Sequence, residues 1–438
     1  MRTKRFVLLI STALLICVTL LITVTICSAS EGIAKDKLTN REIILKNDNT
    51  NEKRNLLLKE DIMFFKQELP KYHKNLFSMI SKEEFNNKTD QLISNIDKLN
   101  NKQVFVELNK IAASIGDAHT GVNIWDGYHY PLQFWLFNGN VYVVNADNNL
   151  KEMMFSKIVK IDGIDIDIVL KQLKSLISHE NESWVLAMLP SYLESPVYMY
   201  GLGIIQNENK AVFTVQKDNE VQDFTVSALE YGKDANFVNK KTKDVIIGTY
   251  DKYYDYEYLS NQKALYFEYN VCADMDNQKF ADFNKEMFGV IEKNDIDKII
   301  INLRNNTGGN SEILNPFTES LKSYIMENDN VKVYLLIGRN TFSSGMFAIY
   351  RVKEAAPEAI AVGEPTGGAL DCYGEVRTMN LPNSQIPISY STKYFEFSKE
   401  FSYKNGGVGT FQPDISIQPT IDEYKNGRDA VLDYVLAD

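Results

Sequence analysis

The chain has 438 residues, of which 44% are hydrophobic and 24% are charged, a composition typical of a globular protein with about two or three domains. Its formal net charge of −11 argues against a nucleic-acid-binding protein, because binding to phosphates requires a basic surface. We therefore expect no nucleic-acid partner.

Residues 1–30 have the pattern of an export signal. A cluster of basic residues precedes an uncharged stretch from Phe6 to Cys27, and small residues follow it, as they do at a cleavage site. The uncharged stretch is also long enough to span a bilayer, so a cleaved signal peptide and an uncleaved membrane anchor are both open. Because the positive end stays inside, we expect an extracytoplasmic protein, secreted or anchored to the outer face of the membrane.

The rest of the chain divides by its hydrophobic patterning. We predict a polar tether (31–55), an N-terminal helical domain (56–125), a β-rich middle module (126–232), a connector (233–257) and an α/β core (258–438). In the helical domain, the first apolar run should stop at Pro70. Ser81 and Glu84 form a capping box before the second helix, and Gly116 should end the third.

Asp117-Ala118-His119-Thr120 directly follows that predicted helix end. A histidine fixed just beyond a helix is a candidate general base, and an equally good candidate for a packing residue. The other histidines, His73, His129 and His179, lie in contexts typical of surface or packing residues. Asp117 either orients the His119 imidazole or only terminates the helix.

The middle module is predicted from strands and tight turns. Residues 130–137 and 141–144 flank Asn138-Gly139, which is typical of a β-hairpin. A strand, the turn Asp162-Gly163 and a short helix then suggest a peptide-binding PDZ-type module, although a plain α+β insert fits equally well. From residue 264 onward, apolar strands alternate with helical patterns, which predicts an α/β core with a largely parallel sheet.

Two loops of this core are candidates for chemistry. Gly308-Gly309 follows a buried strand, and its N–H groups could form an oxyanion hole, although a plain glycine turn is an equal alternative. Ser343-Ser344 lies where the strand at 331–337 meets the helix at 345–356. A serine there is either a nucleophile facing the positive end of the helix or an ordinary N-cap.

The cysteines and histidines suggest no structural metal site. Cys17 and Cys27 lie in the signal, and Cys272 and Cys372 either pair in an oxidising compartment or remain two buried thiols. The chain has no C-x-x-C motif or histidine cluster of the kind that binds structural zinc. We expect no metal and no cofactor.

Three motifs together carry a family resemblance. They are Asp117 to Thr120, Asn302 to Gly309, and Thr341 to Ser344 followed by Gly363-Glu364-Pro365-Thr366-Gly367-Gly368. In this order the motifs resemble those of C-terminal-processing (tail-specific) serine peptidases and their tricorn-core relatives, over about residues 60–435. The spacing to Gly363 matches the family when Ser344, rather than Ser343, is the nucleophile. Asn302 stands where the family usually has aspartate.

The resemblance implies a crotonase/ClpP-like ββα core capped by the N-terminal helices. It also implies an extracytoplasmic serine-type endopeptidase that cleaves peptides or proteins, with Ser344 as nucleophile and His119 as general base. Ala369 occupies the position of the tail-specific lysine, which favours the Ser–His–Glu branch. The oxyanion donors would then be Gly345 with Gly308 or Gly309.

The third member of the triad is open. Glu400 is the first candidate, with Glu396 and Asp117 as alternatives, and neither glutamate aligns cleanly with the family position. An alternative function is a non-catalytic extracellular protein that binds peptides or other ligands on the same scaffold. It is supported by the missing lysine, by Asn302 in place of aspartate and by the unidentified third acid.

Overall fold

The computed structural model describes residues 51–230, 232–241, 243–401 and 409–438. The predicted signal or anchor, and nearly all of the predicted tether, lie outside these residues. Across the described ranges, every helix is too short or too polar to cross a bilayer.

Three helices form the N-terminal part: α1 (Asn51–Tyr72), α2 (Lys82–Ser94) and α3 (Asn101–Ala113). Helix α1 continues to Tyr72 rather than ending before Pro70, so the predicted end was wrong by one turn. Proline interrupts the helical hydrogen bonds there, and the helix ends within two residues of it. The Ser81 hydroxyl caps α2 by accepting the Glu84 N–H at 3.0 Å. Gly116 has a φ of 74°, as the predicted helix stop requires.

Within the described residues, the middle part combines nine strands and three helices. They are β1 (Gly121–Val122), β2 (Tyr128–His129), β3 (Leu132–Phe137), β4 (Asn140–Ala146), β5 (Lys157–Ile161), β6 (Ile164–Asp165), α4 (Ile166–Lys174), α5 (Glu182–Glu194), α6 (Pro196–Gly201), β7 (Lys210–Lys217), β8 (Glu220–Ser227) and β9 (Leu229–Glu230). An antiparallel sheet runs in the order β3-β4-β5-β7-β8, with β6 on β5. The predicted Asn138-Gly139 hairpin is confirmed, but the strand-rich prediction missed α5 and α6.

The remaining elements form the predicted α/β core and a hairpin. They are β10 (Tyr254–Leu259), β11 (Ala264–Tyr269), α7 (Phe280–Ile291), β12 (Lys298–Asn302), α8 (Asn315–Glu327), β13 (Lys332–Ile337), α9 (Ser344–Ala355), β14 (Ile360–Gly363), β15 (Cys372–Asn380), β16 (Pro387–Phe395), α10 (Phe397–Glu400), β17 (Ile415–Ser416), α11 (Ile421–Lys425) and α12 (Ala430–Ala437). The core sheet has the order β10-β11-β12-β13-β14-β17, and all its pairs are parallel except β10 with β11.

The apolar strands of this sheet are buried on both faces. Ile299 and Ile301 on β12 pack in the cluster that contains α7, α8 and α9, whereas Ile300 packs on the opposite face with Val431 and Val435 of α12. When both faces of a strand are buried, its successive residues are all apolar, so the sequence shows a continuous apolar run. The strands of this sheet could therefore be predicted from the sequence.

The hairpin β15–β16 joins the core to the N-terminal helices. Strand β16 pairs with β1, with Gly121 opposite Ser389. The segment that follows α3 is therefore fixed against a hairpin of the core, although no sequence pattern predicted this pairing. Cys272 and Cys372 are both buried free thiols, so of the two alternatives for the cysteines, the structure has the unpaired one.

Candidate active site

A strained turn connects strand β13 to helix α9. Ser343, the residue before the helix, has φ 52° and ψ −122°. A non-glycine residue costs about 1–3 kcal/mol in such a conformation and keeps it only where the surrounding structure enforces it. Sharp strand-to-helix turns of this kind are used in hydrolases to expose a nucleophilic hydroxyl in front of the first helical N–H groups.

The Gly-rich loop after β12 holds this turn in place. The Phe342 N–H donates to the Asn306 carbonyl at 2.9 Å. A Cβ on Gly308 would lie 2.8 Å from the Ser343 Cβ, and a Cβ on Gly345 would lie 2.5 Å from the Asn306 carbonyl oxygen. The two glycines are therefore required for the loop and the turn to approach each other this closely.

Two of the three predicted oxyanion donors are already engaged. The Gly308 N–H donates to the Asn306 Oδ1 at 2.9 Å, and the Gly345 N–H donates to the Phe342 carbonyl at 2.9 Å. The N–H groups of Gly309 and Ser344 have no hydrogen-bond acceptor among the residues that the structure describes. The donors available to an anion in this conformation are thus Gly309, as predicted, and Ser344.

The two adjacent serines differ in environment. Ser344 is 8% exposed and its hydroxyl donates to the Gly309 carbonyl at 2.6 Å. Ser343 is half-buried, and its hydroxyl forms no hydrogen bond within the described part of the chain. This geometry favours Ser343 over the predicted Ser344 as the reactive hydroxyl. The family spacing selects the neighbouring residue, and nothing in a residue pattern reports which of two adjacent serines has positive φ.

His119 lies beside this turn, as the sequence predicted for a base. Its ring stacks on Phe342 with centroids 4.6 Å apart, and Trp184 of α5 stacks on Phe342 at 3.9 Å. Phe342 thus lies between the imidazole and the indole. The backbone of His119 is held by Asp117, whose Oδ1 accepts the His119 N–H at 2.9 Å. The arrangement fixes the imidazole next to the serine turn.

Asp117 is completely buried and accepts several hydrogen bonds. Its Oδ2 accepts from His73 Nε2 at 2.9 Å and from the Thr120 hydroxyl at 2.5 Å. The Asn75 N–H donates to His73 Nδ1, which places the proton of neutral His73 on Nε2. Burial alone would raise the pKa of Asp117, but the hydrogen bond from His73 and the nearby His119 lower it overall. Asp117 is therefore a buried, ionised carboxylate.

Glu180 is the second acid at this histidine. Its Oε1 accepts the Ala118 N–H at 3.1 Å, and its Oε2 is buried without a hydrogen-bond partner in the described residues. Burial, and then the charge of Asp117, raise the pKa of Glu180 to about 8. Burial lowers the pKa of His119, with Asp117 opposing that shift. One ligand atom each from Asp117, His119 and Glu180 lie within 4.8 Å of one another.

Sequence reasoning missed two members of this cluster. His73 was interpreted as a packing residue, and it is in fact the hydrogen-bond donor to Asp117. Glu180 was given no role, because no local sequence pattern predicts its contact with the distant Ala118. Its neighbour Asn181 caps α5 by accepting the Trp184 N–H at 2.9 Å, and an asparagine before a helix is the local signal that could have drawn attention to this turn.

The predicted base and nucleophile are adjacent but not joined. Both ring nitrogens of His119 are buried without a hydrogen-bond partner in the described ranges, so no hydrogen bond links His119 to either serine. The closest carboxylate contact is from its Nδ1 to Asp117 Oδ1, at 3.8 Å. Glu400 is exposed on α10 and is not a member of the cluster, and Glu396 forms an ion pair with Lys399. The structure brings Asp117, rather than either predicted glutamate, to the imidazole.

The block from Gly363 to Gly368 has a packing role. A Cβ on Gly363 would lie 2.2 Å from the Ile337 carbonyl oxygen, and one on Gly367 would lie 2.1 Å from that of Arg339. Glu364 is paired with the buried Arg339. This block therefore supports the segment between β13 and the serine turn and contributes no group to the cluster around His119.

No model of a known protein family matches the sequence, and no curated protein matches it either. Among solved structures, mature CPAF complexed with lactacystin aligns with a TM-score of 0.62 at 13% identity, over 87% of this chain and 98% of that chain. Mature CPAF alone aligns with a TM-score of 0.61 at 13% identity, over 87% of this chain and 96% of that chain.

The tricorn protease aligns with a TM-score of 0.39 at 13% identity, over 88% of this chain and 36% of that chain, and this score is too low to support an argument. The CPAF alignments span nearly the whole described chain at low identity, so they show a shared fold. The chain therefore shares the α/β fold of CPAF.

Proposed function

We propose that this protein is a serine-type peptidase that cleaves peptide bonds by acyl transfer. The observation that carries the proposal is the strained Ser343 turn, with free N–H groups at Ser344 and Gly309, next to a buried histidine. The fold shared with CPAF supports it. A fold alone does not define an activity, so the proposal depends on the geometry of these residues.

In the proposed mechanism, the Ser343 hydroxyl attacks the carbonyl carbon of a peptide bond. His119 takes the hydroxyl proton and later gives it to the leaving amine, after which water hydrolyses the acyl-enzyme by the same route. The N–H groups of Ser344 and Gly309 stabilise the oxyanion. The ionised Asp117 stabilises the imidazolium as it forms. Burial keeps His119 neutral before the reaction, as a base must be.

Substrate must bring the histidine and the serine together. Catalytic hydrogen bonds are often long in unliganded sites and shorten in the substrate complex. The unpartnered nitrogens of His119 are consistent with such a state, because a buried imidazole without a partner gains a hydrogen bond when the hydroxyl approaches.

The deciding experiment uses a matched pair of variants, Ser343→Ala and Ser344→Ala. Removing a nucleophile typically costs about 10³–10⁶ in turnover. We expect Ser343→Ala to lose peptide hydrolysis and labelling by a fluorophosphonate probe, whereas Ser344→Ala keeps labelling at Ser343. Peptide mass mapping of the labelled residue reads out both results. Labelling at Ser344 would restore the prediction from family spacing, in which Ser344 is the nucleophile.

The alternative function is a non-catalytic extracellular protein that binds a peptide on this scaffold. The absence of a hydrogen bond between His119 and the serines, together with the Ser344 hydroxyl bound to Gly309, favours this alternative. It predicts no turnover and no labelling of either serine in the folded wild type. A folded protein that remains unlabelled at high probe concentration would therefore reject the peptidase.

Finer features of the resemblance are part of the proposal. We interpret the core as crotonase/ClpP-like, helices α1 to α3 as a cap, and the antiparallel middle sheet as an insert of PDZ or plain α+β type. We also propose an extracytoplasmic location, because residues 1–30 have the pattern of an export signal. Fractionation of cells expressing the full chain, with mass analysis of its N-terminus, tests the location and distinguishes a cleaved signal from an anchor.

A further inference from the structure

A cluster of two carboxyl groups and one imidazole is enclosed at the proposed base. One ligand atom each from Asp117, His119 and Glu180 lie within 4.8 Å of one another. The His119 side chain is only 8% exposed, and that of Asp117 is fully buried. Two carboxyl groups and a histidine are ligand types that bind a divalent transition metal such as zinc.

A second observation points to a ligand at this place. Both His119 nitrogens and the Glu180 Oε2 are buried without hydrogen-bond partners in the described chain. Buried polar atoms normally have a partner, and an unsatisfied one costs about 1–3 kcal/mol. The unprotonated nitrogen of neutral His119 and the Glu180 Oε2 can each offer an electron pair to a cation. Asp117 adds a negative charge that repels an ionised Glu180, and a cation between them would remove that repulsion.

The surroundings already orient the ligands as in a metal site. His73 donates to Asp117 Oδ2, the Ala118 N–H donates to Glu180 Oε1, and Phe342 stacks on the imidazole. Such supporting contacts fix ligand orientation in metal sites and leave the other oxygen of Glu180 and a nitrogen of His119 free to coordinate.

We propose that Asp117, His119 and Glu180 bind a divalent transition-metal ion of the zinc class, and that the bound ion inhibits the proposed peptidase. The inhibitory part rests on the proposed function, whereas the metal site itself does not. An ion coordinated by His119 occupies the electron pair with which the imidazole would accept the serine proton.

The first test measures binding without any turnover. Chelator-treated full-length wild type is titrated with Zn²⁺ by calorimetry, and with Co²⁺ by its visible absorption. We expect one ion per chain. Glu180→Gln keeps the shape of the side chain but removes the carboxylate. We expect both Glu180→Gln and His119→Gln to weaken zinc binding about tenfold to a hundredfold.

Glu194→Gln is the matched control. Glu194 is a second partly buried glutamate whose pKa is raised by burial to about 8, but it is not a member of the cluster. This variant should bind zinc like wild type. The site would be overturned if wild type, Glu180→Gln and His119→Gln bound zinc with equal affinity. It would also be overturned if each chain bound more than one ion with similar affinity. Either result would mean that zinc binds only adventitiously at the surface. Circular dichroism confirms that each variant is folded.

A wild-type measurement keeps the test valid if a variant does not fold. In protein labelled with ¹⁵N at its four histidines, saturating Zn²⁺ should shift the ring nitrogens of His119 and leave those of His129 and His179, which are not members of the cluster, unchanged. Shifts confined to other histidines would contradict the site. Ser343→Ala should still bind zinc, so metal binding in an inactive protein separates failure of the peptidase from failure of the site.

Inhibition is read by probe labelling. Saturating zinc should slow fluorophosphonate labelling of wild type about tenfold or more, and EDTA should restore it. Glu180→Gln should need at least ten times more zinc for the same effect. Unchanged labelling in zinc-saturated wild type would overturn the inhibitory part while leaving the binding result standing.

Discussion

The serine side and the histidine side of the candidate site are built in opposite ways. Around Ser343, the loop carrying Asn306 and Gly308 satisfies most of the backbone groups and encloses a strained turn between close backbone contacts. Around His119, the carboxylate of Asp117 accepts hydrogen bonds from His73, Thr120 and the His119 N–H, but the imidazole and one oxygen of Glu180 are buried without a hydrogen-bond partner in the described chain.

The contrast separates two physical tasks. A nucleophile and an oxyanion hole must be rigid before substrate arrives, because preorganised donors cost no reorganisation during the reaction. A general base must exchange protons, so the nitrogen that accepts the serine proton cannot be permanently engaged by a strong internal partner. Unsatisfied buried atoms on the histidine side are therefore expected where a proton, a substrate hydroxyl or a metal ion is to be bound.

The largest effect should come from disturbing the rigid side. In Gly308→Ala, the new Cβ would lie 2.8 Å from the Ser343 Cβ and 2.9 Å from the Ser344 nitrogen, at a φ of 113°. The turn must shift, and we expect kcat/KM to fall about 10³–10⁴-fold, comparable to losing a member of a catalytic triad. The measurement is peptide hydrolysis with labelling at Ser343.

Gly139→Ala is its matched control. Gly139 also has positive φ, 76°, but nothing lies within 4 Å of a Cβ built there. The Gly139→Ala variant has the same kind of backbone strain as Gly308→Ala but no close contact of the new Cβ. We therefore expect it to lose about 1 kcal/mol of stability and to keep normal turnover. Near-wild-type turnover in Gly308→Ala would show that the serine turn is not as tightly held as its geometry indicates.

On the histidine side, Asp117→Asn should lower kcat/KM about 10²–10³-fold. The loss should be smaller than the about 10⁴-fold of a hydrogen-bonded triad aspartate, because the Nδ1 to Oδ1 distance is 3.8 Å. The charge of Asp117 raises the pKa of His119, so its removal should lower that pKa. Since the base acts in its neutral form, the acid limb of the kcat/KM profile should move to lower pH.

Glu400→Gln distinguishes the acid that the geometry selects from the one the family resemblance suggested. Its carboxylate is exposed on α10, so we expect kcat/KM within about twofold of wild type. A larger loss in Glu400→Gln than in Asp117→Asn would reverse the assignment and restore the predicted Ser–His–Glu arrangement.

The sequence was informative wherever a local pattern carries the structure. Continuous apolar runs predicted the strands of the parallel sheet, because these strands are covered on both faces. Asn138-Gly139 and Gly116 predicted their turns, since few other residues adopt positive φ without strain. His119 and the Gly308-Gly309 loop, both candidates from the sequence, lie beside the serine turn, and their predicted roles stay predictions.

What the sequence did not reveal depends on long-range contacts or on a single dihedral angle. The pairing of β16 with β1 joins residues more than two hundred positions apart. The contact of Glu180 with Ala118 also crosses domains of the predicted organisation. The difference between Ser343 and Ser344 is one of backbone conformation, which two identical side chains cannot signal.

A stability measurement tests whether Glu180 is buried as a neutral acid. Its pKa is about 8 in the folded protein, against an ordinary value of 4.5, so the folded state binds the extra proton between these pH values. Wild type should lose stability relative to Glu180→Gln as pH rises from about 4.5 to 8, by at most about 1.4 kcal/mol per pH unit. Below that window the two proteins should differ by a constant amount.

Urea unfolding in EDTA, repeated across this pH range, provides the curves, with Glu400→Gln as an exposed control. The curves of Glu400→Gln and wild type should run parallel. If the stability of wild type and of Glu180→Gln depended on pH in the same way, Glu180 would be ionised in the folded state. Another positive charge would then have to offset its repulsion from Asp117.

A smaller loss of activity than in Gly308→Ala or Asp117→Asn should come from the aromatic contact that joins the two sides. Trp184 stacks on Phe342 at 3.9 Å with an angle of 12° between the rings, and His119 stacks on Phe342 at 4.6 Å. Trp184→Leu removes one stacking partner, which is worth about 0.5–1.5 kcal/mol beyond the buried area, while Trp184→Phe retains an aromatic ring.

If the stack only adds stability, both variants shift the urea midpoint and leave kcat unchanged. If the stack holds His119 against the serine turn, Trp184→Leu should also lower kcat about threefold to tenfold with little change in KM, and Trp184→Phe should restore most of that loss. The second result is the one we expect, because the ring that Trp184 supports belongs to the residue directly before Ser343.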